Sequence, residues 1–196
     1  MLLCYYNDKN ILGYRKMELF HGTDKKVVKA IQKEGFRLKA SHEHWLGNGI
    51  YFYMDKSLAQ WWTTNPTAKF GTKIENPVVL RCSISKKESE LKVLNLLNLE
   101  DYEFYYREFV DCFWPKYIAA HPKDGADYKK IRCAYLDFLK ALYGLDVVIG
   151  NFNAPDQPYM TDVQNDIFES LKLIYTEIQV CVFDSSIINI EEIISL

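Results

Sequence analysis

The chain changes its repeat within a few residues of Met17, and that change rules out the simplest architectures. Met17-Glu18-Leu19-Phe20 reads as a short strand that stops at His21-Gly22. Immediately afterwards Val27, Ala30 and Ile31 recur at i, i+3 and i+4, the spacing of one helical face. Thr23 or Asp24 can cap this helix, because a side-chain oxygen there accepts from the orphan amides of the first turn. Gly35 can take the left-handed conformation that ends it, with Phe36 as the hydrophobic latch.

Later stretches keep switching period. Residues 37–47, which carry His42 and His44, read as a loop, and Gly49 to Tyr53 as an aromatic strand. Asp55 opens a helix over Lys56–Trp62 that Asn65-Pro66 stops. Val78, Leu80, Cys82 and Ile84 alternate with Val79, Arg81 and Ser83, the pattern of a half-buried strand introduced by Asn76-Pro77. The middle is helical. Tyr102, Tyr105, Tyr106, Phe109, Val110 and Phe113 hold helical spacing, as do Ile131, Ala134, Tyr135, Phe138, Leu139 and Leu142 before Gly144. Both stripes read as core faces. Pro115 and the turn His121-Pro122-Lys123-Asp124-Gly125 separate the two helices.

Leu145–Ile149 reads as a buried strand ending at Gly150, Asn151–Tyr159 as a loop and Asp162–Leu171 as a short helix. Glu177–Phe183 and Ile187–Ile194 read as closing strands. Residues 1–15 are a strand or an arm. Strands and helices mix without strict alternation, so the expected class is α+β, in a single domain over 1–196.

Composition narrows the function classes. The 196 residues are 48% hydrophobic and 26% charged, enough to bury roughly 70% of the unfolded surface. The 15% aromatic content suits a ring-rich core or a site that stacks flat ligands. A net charge of -2 gives no chain-wide basic footprint, which disfavours nucleic acid as a partner while leaving a local basic face open. Cys4, Cys82, Cys112, Cys133 and Cys181 are odd in number and widely spaced. They point to reduced thiols, a cytoplasmic location and no metal. MLLCYYNDKN lacks a basic n-region and a long enough apolar run for a signal peptide. No segment approaches the ~18 apolar residues of a membrane span.

Three places carry candidate chemistry. His21, at a strand end before Gly22, either caps the surface or presents its ring beside bare backbone that can pair with a flat amide. Tyr51, after Gly47 and Gly49, is either a core tyrosine or a ring that stacks on a planar heterocycle. Glu177, at the head of an apolar strand, is either exposed at the strand end or buried with a partner or a task. Gln179, two residues on, lies on the same strand face and either positions an acceptor or is an exposed polar residue.

The order Leu19-Phe20-His21-Gly22-Thr23, then Gly47-Asn48-Gly49-Ile50-Tyr51-Phe52, then Tyr175-Thr176-Glu177-Ile178-Gln179-Val180 resembles the His-Tyr-Glu clade of ADP-ribosyltransferases, the poly(ADP-ribose) polymerase-like and diphtheria-toxin-like enzymes. That clade has His-Gly-Ser or His-Gly-Thr, then Gly-x-Gly-Ile-Tyr-Phe, then Tyr-x-Glu on a late strand. The likeness spans about a third of the chain, and the Gly47–Phe52 match is its most specific part.

The resemblance implies a split mixed β-sheet with surrounding helices and a helical insertion around 95–144. It implies NAD as substrate, with His21, Tyr51 and Glu177 as the catalytic set. His21, Gly22, Thr23, Tyr51, Ser57 and Trp61 or Trp62 would bind NAD. His21 would bond a ribose hydroxyl, Gly22 backbone and Ser57 the carboxamide, and Tyr51 and a tryptophan the ring. Glu177 would stabilise the oxocarbenium-like ribose left as nicotinamide departs. The expected activity is transfer of ADP-ribose to a protein or nucleic-acid acceptor. Toxin-like or phage-defence members would add an antitoxin or regulatory partner. NAD hydrolysis, RNA 2′-phosphotransfer and non-catalytic NAD or ADP-ribose binding are the competing readings.

Overall fold

The computed structural model describes residues 17–64, 74–121, 127–153 and 176–196. The expected arm over 1–15, the stop at Asn65-Pro66, the turn over 122–125 and the helix over 162–171 lie outside the described residues.

Strand β1 (Leu19–Asp24) does not stop at His21-Gly22 but runs through it. The reason is non-local: the strand is registered against β3 (Pro77–Ile84) from Leu19↔Cys82 to Asp24↔Pro77. Asp24, rather than Thr23, then caps α1 (Lys25–Glu34) by accepting from the Lys26 amide at 3.0 Å. Its other carboxylate oxygen accepts from the Glu75 amide at 2.8 Å, tying the helix start to the segment before β3. These backbone bonds, Lys26 first, hold the Asp24 carboxyl below its ordinary pKa. Gly35 closes the helix at φ 79, its N–H donating to the Ile31 carbonyl at 2.8 Å.

Strand β2 (Ile50–Tyr53) leads into α2 (Lys56–Thr64), whose first turn is capped by Asp55 accepting from the Ser57 amide at 2.7 Å. β4 (Val93–Asn95), β5 (Val147–Asn153), β6 (Thr176–Val182) and β7 (Ile188–Ser195) complete a seven-stranded sheet in the order β4-β5-β6-β2-β1-β3-β7. β4 and β5 run parallel and the remaining pairs antiparallel, so the sheet is mixed. β5 extends through Gly150 to Asn153, further than periodicity predicts, because β6 pairs with it all the way to Asn153↔Thr176. β3 is not half-buried: Val78, Val79 and Leu80 are consecutive and all buried, since both sheet faces are covered there.

Alternation assigns the faces. Leu19, Ile50, Phe52, Leu80 and Val180 pack with Val28 of α1 and with Phe36. On the opposite face Val148 and Cys181 pack with Ile131, Tyr135, Leu136 and Leu139 of α5 (Tyr128–Tyr143). Phe20 and Val79 pack there with Ala59 of α2. The sheet is nearly interrupted at its centre. β1 and β2 share one registered pair, Phe20↔Tyr53, beside a ladder of four between β2 and β6.

The helical middle departs from expectation. α3 (Leu99–Glu108) passes through a π-helical turn (Phe109–Phe113) directly into α4 (Trp114–Ala120), so Pro115 does not separate helices. A proline ring clashes with the carbonyl four residues earlier in an α-helix. The wide turn, with the Trp114 amide bonded back to the Phe109 carbonyl, relieves that contact. The first stripe is not a core face throughout, because Phe113 is buried while Tyr102, Tyr106 and Val110 are exposed. α5 keeps its inward face at Ile131, Tyr135 and Leu139, but Leu142 is exposed. Gly144 ends it in the left-handed conformation at φ 65, ψ 41. No helix among the described residues is long and apolar enough to cross a membrane.

Candidate functional site

His21 stands where β1 and β2 part. Its ring lies edge-on to Phe36 at 5.2 Å and tilted to Phe52 at 5.6 Å. Nδ1 is 2.8 Å from the Tyr51 carbonyl oxygen. A carbonyl can only accept, so Nδ1 carries the proton and Nε2 is left as an acceptor in the neutral ring. Burial pulls the His21 pKa down and outweighs the opposing effect of the backbone bond. The ring therefore stays neutral at pH 7 and bridges the two strands where their ladder is missing.

Gly22 faces the other way, onto α2. A Cβ there would lie 2.4 Å from Thr63 Cγ2 and 2.5 Å from the Ala59 carbonyl oxygen. The glycine is thus what lets α2 press against β1, and Trp62 Cε3 is 3.4 Å from the same point. Thr23 is half-buried on the His21 side, and Trp61 is half-buried one residue before Trp62. Ser57 is exposed, and its hydroxyl donates to Asp55 Oδ1 at 2.7 Å as part of the helix cap.

Tyr51 is held by the loop that precedes it. Its hydroxyl donates to the Gly47 carbonyl at 2.9 Å and accepts from the Leu46 amide at 2.6 Å. The His44 ring lies 5.6 Å from its own. Burial drives the Tyr51 phenol pKa well up. Asn48 anchors this loop to α5, its amide donating to Asp137 Oδ1 at 2.9 Å and its side chain to Oδ2 at 2.6 Å. Gly47 sits at φ +83, and a Cβ on Gly49 would fall 2.4 Å from Cys181 Sγ. The two glycines thus serve close packing of the loop on α5 and β6.

Glu177 is the unusual group. It is 2% exposed, opposite Phe152 in the β5–β6 register. Gln179 donates its side-chain N–H to Oε1, so Gln179 is not merely an exposed polar residue. Oε2 is buried and has no hydrogen-bond partner among the described residues. Desolvation raises the Glu177 pKa, with Gln179 partly offsetting it. Tyr53, opposite Gln179, lies on this face, and its phenol pKa is raised by burial first and by the Glu177 charge second. Phe152 carries the group outward to Trp45, whose ring is 4.6 Å away, with Arg132 over that ring at 5.5 Å.

The arrangement brings together Glu177, Gln179, Tyr53 and Phe152. It does not put Tyr51 beside Glu177: Tyr51 opposes Cys181, four residues along β6, or roughly 13 Å at about 3.3 Å per residue. His21 projects to the opposite face, into the gap between β1 and β2. Tyr53 and Phe152 escaped the reading of the sequence. Period-two alternation already puts Tyr53 on the Tyr51 face, but which strand opposes it is a non-local fact. Among the described residues no group of three or more His, Cys, Asp or Glu side chains is placed to hold a metal ion.

No family model matches the chain. It is similar to the uncharacterized protein MJ0359 of Methanocaldococcus jannaschii, 29% identical over 91 residues, which are 46% of this chain and 42% of the archaeal protein. The chain therefore spans less than half the length of that curated relative.

Proposed function

We propose that this chain is an NAD-cleaving ADP-ribosyltransferase with Glu177 as its charge-stabilising carboxylate. The observation that carries the reading is the buried Oε2 of Glu177, which lacks a partner among the described residues. An unpaired buried acceptor is costly, and such cost is commonly tolerated at sites of chemistry. The single registered pair between β1 and β2 supports a split-sheet reading, with the gap as the groove for NAD. Residues 95–144 are then the helical insertion.

In this reading the bond between nicotinamide nitrogen and ribose C1′ breaks with its electron pair leaving on nicotinamide. Positive charge develops on the ribose, and the ionised Glu177 stabilises it from a desolvated position without reorganising. His21, on the opposite face, acts indirectly, its Nδ1 proton holding the Tyr51 carbonyl at the edge of the gap. Tyr53 supplies a flat surface next to the carboxylate, a place the resemblance assigns to Tyr51. The acceptor then adds to C1′, and its proton passes to Glu177 or to water.

The test is nicotinamide release from NAD by wild type and Glu177→Gln. The expected loss is at least about a hundredfold, the size of one electrostatic contact of about 3 kcal/mol. Unchanged release would remove Glu177 from the mechanism. Adenylate-labelled NAD, offered with separate pools of protein, RNA and DNA, identifies the acceptor. Release without label transfer would instead mean hydrolysis.

A further inference from the structure

We propose that the continuous helix α3–α4 is a self-complementary arm on which a second copy of this chain docks antiparallel. Leu99 is 70% exposed, Tyr102 52%, Tyr106 61%, Val110 43%, Trp114 36% and Ile118 41%. They recur almost every four residues. In a plain α-helix such a row drifts by about 40° per step. The π-helical turn at Phe109–Phe113 takes up part of that drift and keeps the row on one side. The result is an apolar stripe about 29 Å long, at 1.5 Å per residue from Leu99 to Ile118. Near its start lies an open groove of ≈ 340 Å³ lined by Leu99, Tyr102, Glu103, Tyr106 and Arg107.

The charges beside the stripe select the occupant. Glu103, Arg107 and Asp111 are exposed, each one position past a residue of the stripe, and alternate in sign along the helix. Overlap of the whole span with an antiparallel copy sets Leu99 by the second copy's Ile118. The same register sets Arg107 opposite Asp111 of the second copy. Two-fold symmetry makes each contact twice. Parallel pairing would set like charges together. A self-complementary apolar stripe flanked by alternating charge is what an isologous interface requires, and the paired aromatic rings supply its anchors.

Sedimentation velocity on the full chain from about 1 to 100 µM tests this. The wild type is expected to dimerise. Arg107→Glu replaces two attractions by two repulsions and is expected to raise the dimer dissociation constant at least about tenfold. Arg107→Glu combined with Asp111→Arg restores the pairing and is expected to return the constant to near the wild-type value. All these positions are exposed, so folding is checked by unchanged circular dichroism. A wild type that stays monomeric overturns the proposal. So does a dimer indifferent to Arg107→Glu, or one the double exchange fails to restore. If the monomer loses thermal stability on Tyr106→Glu, the stripe is covered by this chain's own residues instead. The readout is mass and does not depend on catalysis.

Discussion

Replacing Glu177 by glutamine should make the protein more stable, and only at higher pH. The substitution keeps the side-chain shape and a neighbour at Gln179 while removing the charge. Burial raises the Glu177 pKa above its ordinary value. A carboxyl shifted this way costs nothing while folded and unfolded states are both protonated, below about pH 4. The cost grows as pH rises above the ordinary glutamate value and is complete once pH has passed the folded-state value. Among the described residues Oε1 has a partner and Oε2 has none. One unpaired buried acceptor costs about 1–3 kcal/mol, more when charged. The amide leaves a neutral polar atom in the same place, so glutamine recovers the charged excess, about 1–2 kcal/mol. For a chain of this length that is about 2–8 °C in Tm. Thermal melts of both proteins at pH 4, 6 and 8 measure it. The difference should be near zero at pH 4 and full at pH 8. A glutamine variant that is less stable at pH 8, or a shift identical at pH 4 and pH 8, would refute a desolvated, half-partnered carboxylate.

Other perturbations probe the neighbours. Gly22→Ala drives a methyl into Thr63 and the Ala59 carbonyl and should cost at least about 1–3 kcal/mol in urea melts; a neutral result would mean α2 does not sit on Gly22. Tyr51→Phe strands the Leu46 amide, leaves the Gly47 carbonyl only the Cys181 thiol, and should cost about 1–3 kcal/mol in urea melts. Asp137→Ala cuts both Asn48 bonds and should raise proteolytic cleavage within residues 41–49, which unchanged digestion would contradict. His21 should show a protonated Nδ1 and a bare Nε2 at pH 7 by nitrogen-15 NMR. Its pKa is lowered, so protonating it should destabilise the fold only as pH falls below the ordinary histidine value.

Local physics made much of the frame legible. Asp24, Gly35, Asp55 and Gly144 mark helix ends by capping chemistry that acts within a few residues. The strands β3 and β6 announce themselves by alternation or apolar runs long enough to count. What escaped depends on distant partners. β4 is the three residues Val93–Asn95, too short for any period, and exists because β5 offers it an edge. Pro115 reads as a break because the relief given by a wide turn leaves no signature in residue type. The stripe through Tyr102, Tyr106 and Val110 is a true helical face. Periodicity says which residues share a side and not what covers it.

The same limit explains the site. The order of His21, Tyr51 and Glu177 in the chain says that three chemically apt residues lie on strands. Their mutual placement follows from pleat and register. Tyr51 is claimed by the Gly47 loop, and the loop in turn by Asp137 on α5. His21 is turned to the other face, with its proton pinned by the Tyr51 carbonyl. So the residues of the motif partly hold one another, and on the Tyr51 face Glu177 keeps a buried oxygen without a partner among the described residues, with Tyr53 and Phe152 around it. Burial of Glu177 also raises its pKa, so its charged form is disfavoured in the fold. A position that costs stability when ionised and gains it when neutralised is hard to assign to structure alone. That is why stability and nicotinamide release should move in opposite directions in one substitution, Glu177→Gln.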